Sequence, residues 1–379
     1  MELQLLSFST GQPHPLAEQP LIFIDKRILP LNTRDTKIEI VGDFIIFLVT
    51  FPGWSRNQDI FLLVRWKTGL THCVSVPELL QIRLPSLILY VQLRSPEKGT
   101  YVDFAHLSRD TLVIPNLIQN TFEITKIVID DDDTPHLMLQ CMLHLPPLIE
   151  DNSLSHIFCQ AEPNPTGSGC LVIPSRSDRP FHDKVEDAIV IFNMSYGPLS
   201  ESQMDSLTLI VHRRALLTYI PAGHSACAPF CTTPEPMPAV VDVPWSVWGP
   251  PATRLFNTIS PFALETTAGQ RAVMLEDRMP TRIIVRDFNP HAVRAARALA
   301  SASGQSQQGD WGMQLPNGNR MSLKVEASVL TAGSIFNEDV WSSLPYIEIV
   351  TQDEYQYEGI MMDDERILGF RVRFRSLRC

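Results

Sequence analysis

Four groups of residues have the types and spacing to do chemistry. His224, Cys227 and Cys231, in "HSACAPFC", carry nitrogen and thiolate ligands within one short stretch. A structural zinc site wants four such ligands, with a tight cysteine pair. Here the pair lies in a Pro-rich stretch with no second pair, so the two cysteines read as incidental loop residues and no metal is expected. Asp130 to Asp133 form an unbroken carboxylate run. Calcium loops alternate carboxylates with turn formers, whereas a consecutive run points its side chains in different directions. A solvated hairpin tip, charged against edge pairing, fits better. Asp363, Asp364 and Glu365, in "MMDDERI", read the same way, as a turn between two strands. Trp245 and Trp248, in "VPWSVWGP", stand three apart among prolines; two tryptophans so placed either anchor a protein partner or seal packed sheets. They are the only candidate partner-binding residues, with packing the favoured role.

The standard reactive motifs are missing: no phosphate-binding glycine loop, no Gly-Xaa-Ser-Xaa-Gly elbow, no His-Glu-Xaa-Xaa-His helix. No catalytic residue and no cofactor is therefore assigned. With a formal net charge of −11 and basic residues thinly spread, apart from Arg213-Arg214 and the Arg371, Arg373, Arg375, Arg378 tail, a nucleic acid is not an expected partner. Seven cysteines, an odd number at irregular spacing, suit free thiols in a reducing compartment. The N-terminus has no signal-peptide pattern, and the apolar run "FIIFLV" (44–49) is too short to span a bilayer. A cytoplasmic or nuclear protein without a membrane partner is expected. The sequon Asn193-Met194-Ser195 falls inside an apparent strand and reads as chance.

The elements around these residues are short. Apolar runs of five to eight residues, rich in Ile and Val, alternate with turn signals: "KIEIV", Gly42-Asp43, "FIIFLV"; then "IFLLVRW", Lys67-Thr68-Gly69, "THCVSV"; then "FEITKIVID", "HLMLQCMLHL", "AIVIFNM", "LTLIVHRRALLTYI" and "YIEIV". With 30 prolines, the chain reads as all-β rather than helical. One helix is expected near 290–302, where Asn289 can cap and Pro290 suits the first turn. Pro- or Gly/Ser-rich stretches near 161–184, 221–239 and 301–321 read as flexible loops. A strand ending in an aromatic, a Thr-Gly turn and a second strand occurs at 60–76 and, with Ser9-Thr10-Gly11, near the start. Such a hairpin suits the last part of a propeller blade, with Trp66 wedged in the core and Gly admitting positive φ. Lys67 stands where a WD-type blade has Asp.

Five stretches carry a family resemblance: "LLSFSTGQPHPLA", "VGDFIIFLV…LLVRWKTG", "VPWSVWGPPATRLF", "RIIVRDFNPHAVRAA" and "SLPYIEIV…YEGIMMDDERILGFRV". In this order, from about residue 3 to 373, they resemble the C-terminal region of the large F-box protein families of mushroom-forming fungi. The resemblance implies a β-propeller-like domain over 1–379 that holds a protein substrate for a cullin–RING ubiquitin ligase, without catalysis of its own. The F-box that binds the ligase adaptor is a helical bundle, and residue 3 is already in a strand; the Leu-rich "VPELLQIRLPSLILY" from Val76 lies between strands. The adaptor is thus a partner only where an F-box precedes this chain. Two alternatives stand beside this: a β scaffold that binds proteins without an F-box, and a propeller-type hydrolase. An incomplete ring is also expected, with the strands at 347–350 and 367–374 short of partners.

Overall fold

A computed structural model describes residues 2–4, 6, 10–15, 17, 21–23, 35–41, 44–50, 60–65, 70–73, 88–89, 100–129, 135–165, 184–198, 204–221, 240–257, 266–276, 280–303, 311–363 and 365–371. The fold is all-β, with short helices. Where the sequence suggests one domain over 1–379, backbone contacts divide the chain into two compact units. The first contains Met1–His144, Asn164–Asp178 and Tyr219–Val243; the second contains Leu145–Pro163, Arg179–Thr218 and Pro244–Cys379.

In the first unit, β1 (Glu2–Gln4) pairs with β2 (Leu21–Phe23). The bridge Leu6–Pro13 closes the Thr10-Gly11 turn, where Gly11 adopts φ 65°. Next, β3 (Asp35–Val41), β4 (Phe44–Thr50), β5 (Ile60–Arg65) and β6 (Leu70–Cys73) form an antiparallel meander, with β7 (Ile88–Leu89) added in parallel. Val41 lies opposite Phe44, which fits the two-residue hairpin read at 42–43. A second meander follows: β8 (Ala105–His106), β9 (Thr111–Asn116), β10 (Thr121–Ile129) and β11 (Pro135–His144). A later strand, β15 (Val241–Val243), joins it parallel to β11. Alternation decides which side chains meet. Ile46, Leu48, Phe61 and Leu63 from the first meander pack on Phe104, Leu112, Ile114, Ile127 and Leu137 of the second. On the same face of β3, Lys37 reaches Asp103 at 2.5 Å and donates to the Phe104 carbonyl at 2.8 Å.

The second unit opens with a third antiparallel meander: β12 (Asn152–Gln160), β13 (Ile189–Pro198), β14 (Asp205–His212) and β16 (Thr253–Asn257). Asn193 of the sequon is a buried residue of β13, and its Oδ1 accepts from Thr208 Oγ1 at 2.8 Å. Between β14 and β16 the chain forms α1 (Arg213–Leu217), then β15, then α2 (Trp245–Ala252). Both helices depart from the sequence expectation of a single one. The run "LTLIVHRRALL" ends as helix because Arg213 turns inward, fully buried, to donate to the carbonyls of Ala161, Pro163 and Val185. A sheet of six strands follows, in the order β17 (Thr267–Ala268), β18 (Arg271–Leu275), β19 (Ile283–Asp287), β24 (Tyr346–Val350), β21 (Arg320–Lys324), β20 (Trp311–Gln314). Thus 347–350 has a strand on each side, correcting the expectation that it lacks partners.

The third helix, α3 (Pro290–Ala302), stands where the sequence places it. The Asn289 side chain accepts from the His291 and Ala292 N–H groups, and Val293 and Ala296 pack on Leu323 and Ile347. Within the loop expected at 301–321, the structure has β20 and a tight hairpin instead. Gly318 takes φ 83°, and Leu315 N–H bonds the Asn319 carbonyl at 2.8 Å, so "PNGN" is turn chemistry, not a tether. Residues 166–183, 222–239 and 304–310 of the expected loops lie outside the described residues. Two small ribbons complete the unit: β22 (Ser328–Leu330) with β23 (Val340–Ser342), and β25 (Gly359–Met362) with β26 (Ile367–Phe370). No helix among the described residues is long and apolar enough to cross a membrane.

Candidate partner-binding site

Trp245 and Trp248 both lie in α2, 6% and 0% exposed, with ring centroids 5.1 Å apart in an edge-to-face arrangement. Both rings are taken up in packing, and neither is presented to solvent. Gly249 is part of the same packing, because a Cβ there would lie 2.3 Å from the Trp245 ring.

The other sequence candidates supply no site. His224, Cys227, Cys231, Asp130–Asp133 and Trp66 lie outside the described residues. Asp363 caps the β25–β26 turn, accepting from the Glu365 and Arg366 N–H groups at 2.8 and 2.6 Å and from the Arg366 guanidinium. The Glu365 N–H, followed by the Arg366 guanidinium and N–H, holds its carboxyl below the usual range. Among the described residues, no three His, Cys, Asp or Glu side chains gather as a metal set. Cys141 and Cys159 are buried, and burial pushes the Cys141 thiol up to about 12, far from a reactive thiolate.

Among the described residues, a tryptophan that the sequence reading passed over is on display. Trp341 is the middle residue of β23 and is 51% exposed, while its neighbours Val340 and Ser342 are buried. The ribbon carrying it is tied down along its whole length. At the base, Ser342 Oγ accepts from Leu255 N–H at 3.0 Å and meets Ser328 Oγ at 2.8 Å, while Arg254 donates to the Glu326 carbonyl at 2.6 Å. Beyond β23, the Ser343 N–H and Oγ both bond the Pro250 carbonyl of α2 at 2.9 Å. At the tip, Ala332 N–H bonds Asp339 Oδ1 at 2.8 Å, and Ile149 N–H bonds the Ile335 carbonyl at 3.1 Å. Asn152 donates to the Ser334 carbonyl at 3.0 Å, and Phe336 is buried edge-on to Tyr196.

A large aromatic side chain held out by a rigid support loses little conformational freedom when a partner covers it. Tryptophan is also the residue most enriched at the energetic centres of interfaces. The signal in the sequence was the alternation Val340, Trp341, Ser342, which sets Trp341 opposite in direction to its neighbours.

No protein-family model, curated protein or solved structure matches the chain.

Proposed function

We propose that this protein is a non-catalytic binding module that holds another protein through the surface around Trp341. The observation that carries this is the exposure of Trp341 on a ribbon whose base is hydrogen-bonded to β16 and whose tip is hydrogen-bonded to Ile149 and Asn152. The module is of propeller type: β3–β6, β8–β11 and β12–β14 with β16 are successive antiparallel meanders of four strands, the size of a propeller blade. The ordered motif resemblance supports placing it among fungal F-box-type proteins, where it would present a substrate to a cullin–RING ligase in the cytoplasm or nucleus.

The test is affinity capture from native cells with the wild-type chain and with Trp341→Ala. The module reading expects a defined set of proteins to bind the wild type. The exposed-site substitution should weaken their binding by about 2 kcal/mol or more, roughly thirty-fold, with the melting temperature unchanged. Identical capture by both chains would refute it. The ligase part is tested separately: the adaptor subunit should co-purify with the full-length native gene product, and its absence there would leave a scaffold without a ligase.

A further inference from the structure

Charge around Trp341 defines what kind of segment it can hold. From Val325 to Glu365 the sequence contains no Lys, Arg or His, but ten Asp and Glu. Three of these, Glu326, Glu338 and Asp339, flank the ribbon on its two strands and are exposed. Asp339 uses one carboxylate oxygen to hold the Ala332 N–H, and Glu338 and Glu326 stand exposed before the two strands. Arg254, whose guanidinium donates to the Glu326 carbonyl, turns inward: it is 7% exposed, with its Cζ 5.2 Å from the Tyr346 ring centroid. The ribbon therefore carries an exposed indole ring with exposed carboxylates close to it in the chain.

We infer that the Trp341 surface binds a cationic peptide segment, with a Lys or Arg side chain laid over the indole face and a further positive charge beside Glu338. Indole is the best natural platform for a cation, and the attraction grows once the pair is shielded from water. Exposed carboxylates steer positive segments in and repel acidic ones, including nucleic acids. A neutral apolar segment would cover the ring and leave the carboxylates without partners, so they select against it. This inference rests on the Trp341 binding reading and adds the chemistry of the partner to it.

The probes are two fluorescein-labelled synthetic peptides of equal length, one alternating Arg with Leu and the other Glu with Leu, read by anisotropy. The arginine peptide is expected to bind the wild-type chain, and the glutamate peptide is not. Trp341→Ala should weaken arginine-peptide binding at least about ten-fold, Trp341→Phe should recover part of that, and Glu338→Lys should weaken it by roughly the same factor. Binding should also fall with added salt, since these carboxylates are exposed. Arginine-peptide binding that ignores both Trp341→Ala and Glu338→Lys would overturn the inference, as would equal binding of the two peptides. The outcomes separate the two levels. Native partners that depend on Trp341, combined with no arginine-peptide binding, keep the module and remove the cationic partner. Native capture indifferent to Trp341 removes both.

Discussion

Glu123 on β10 is a carboxylate in the wrong solvent. Its Oε2 accepts from Tyr101 Oη at 2.9 Å and its Oε1 from Asn116 Nδ2 at 2.6 Å, while Asn116 Oδ1 accepts from the Ile118 and Gln119 N–H groups to close the β9–β10 turn. Burial raises its carboxyl above the usual value, and the two donors offset only part of that. An acid whose folded value is raised stabilises the fold fully below its unfolded value, and that contribution is lost as pH rises through the folded value. The window therefore opens near the ordinary glutamate value of 4.5 and runs upward. Glu123→Gln keeps an acceptor for Asn116 and can donate to Tyr101, without the charge. It should raise the melting temperature at neutral pH and change it much less at pH 4. A variant that is destabilised equally at both would show that the charge itself is needed. His212 runs the other way: burial lowers its value, opposed by the backbone of Asp187 and Phe288, so it favours the fold above the ordinary histidine value and that contribution fades as pH falls below it.

At the scale of elements, α2 and α3 form for different reasons. Local chemistry specifies α3: Asn289 supplies the cap and Pro290 the first turn. Asn289→Ala should cost about 1 kcal/mol in urea unfolding, and Asn289→Asp should cost much less, because the carboxylate still caps. Equal losses would mean that the cap is not the reason. Local chemistry argues against α2, whose sequence "WSVWGPPA" contains Gly249, Pro250 and Pro251, among the poorest helix formers. Burial of the Trp245–Trp248 pair overrides that propensity, and Gly249 is the residue that lets Trp245 lie flat on the turn. Gly249→Ala should therefore destabilise by about 1–3 kcal/mol despite its better propensity. Combining it with Trp245→Leu should cost less than the sum of the two single changes, because the clash disappears with the ring. Strict additivity in a double-mutant cycle would remove this account.

At the scale of the whole molecule, what the sequence made legible was whatever is specified within a few residues. Strands such as β10 and β13 showed through their Ile and Val runs, α3 through its cap, and the β3–β4 hairpin through Gly42-Asp43. The candidate site was half legible. The alternation at 340–342 was visible, but Ser342 is buried because it accepts from Leu255, 87 positions away, and no local pattern carries that. The same blindness explains the misplaced partner set of 347–350. Its neighbours β19 and β21 come from opposite sides of α3 and lie apart in the chain. Native-state hydrogen exchange tests this sheet order directly. Amides of strands paired on both sides, in β10, β13 and β24, should exchange only through global opening, whereas those of β26, paired on one side to β25, should exchange far faster. For a stability in the ordinary range of roughly 5–15 kcal/mol, the contrast spans several orders of magnitude in protection. If the amides of Ile347 and Ile349 exchange as fast as those of β26, β24 is an edge and the sheet is wrongly ordered. The ribbon that displays Trp341 runs into β24 through Leu344, so it would then lose the support that makes its indole ring a preorganised anchor.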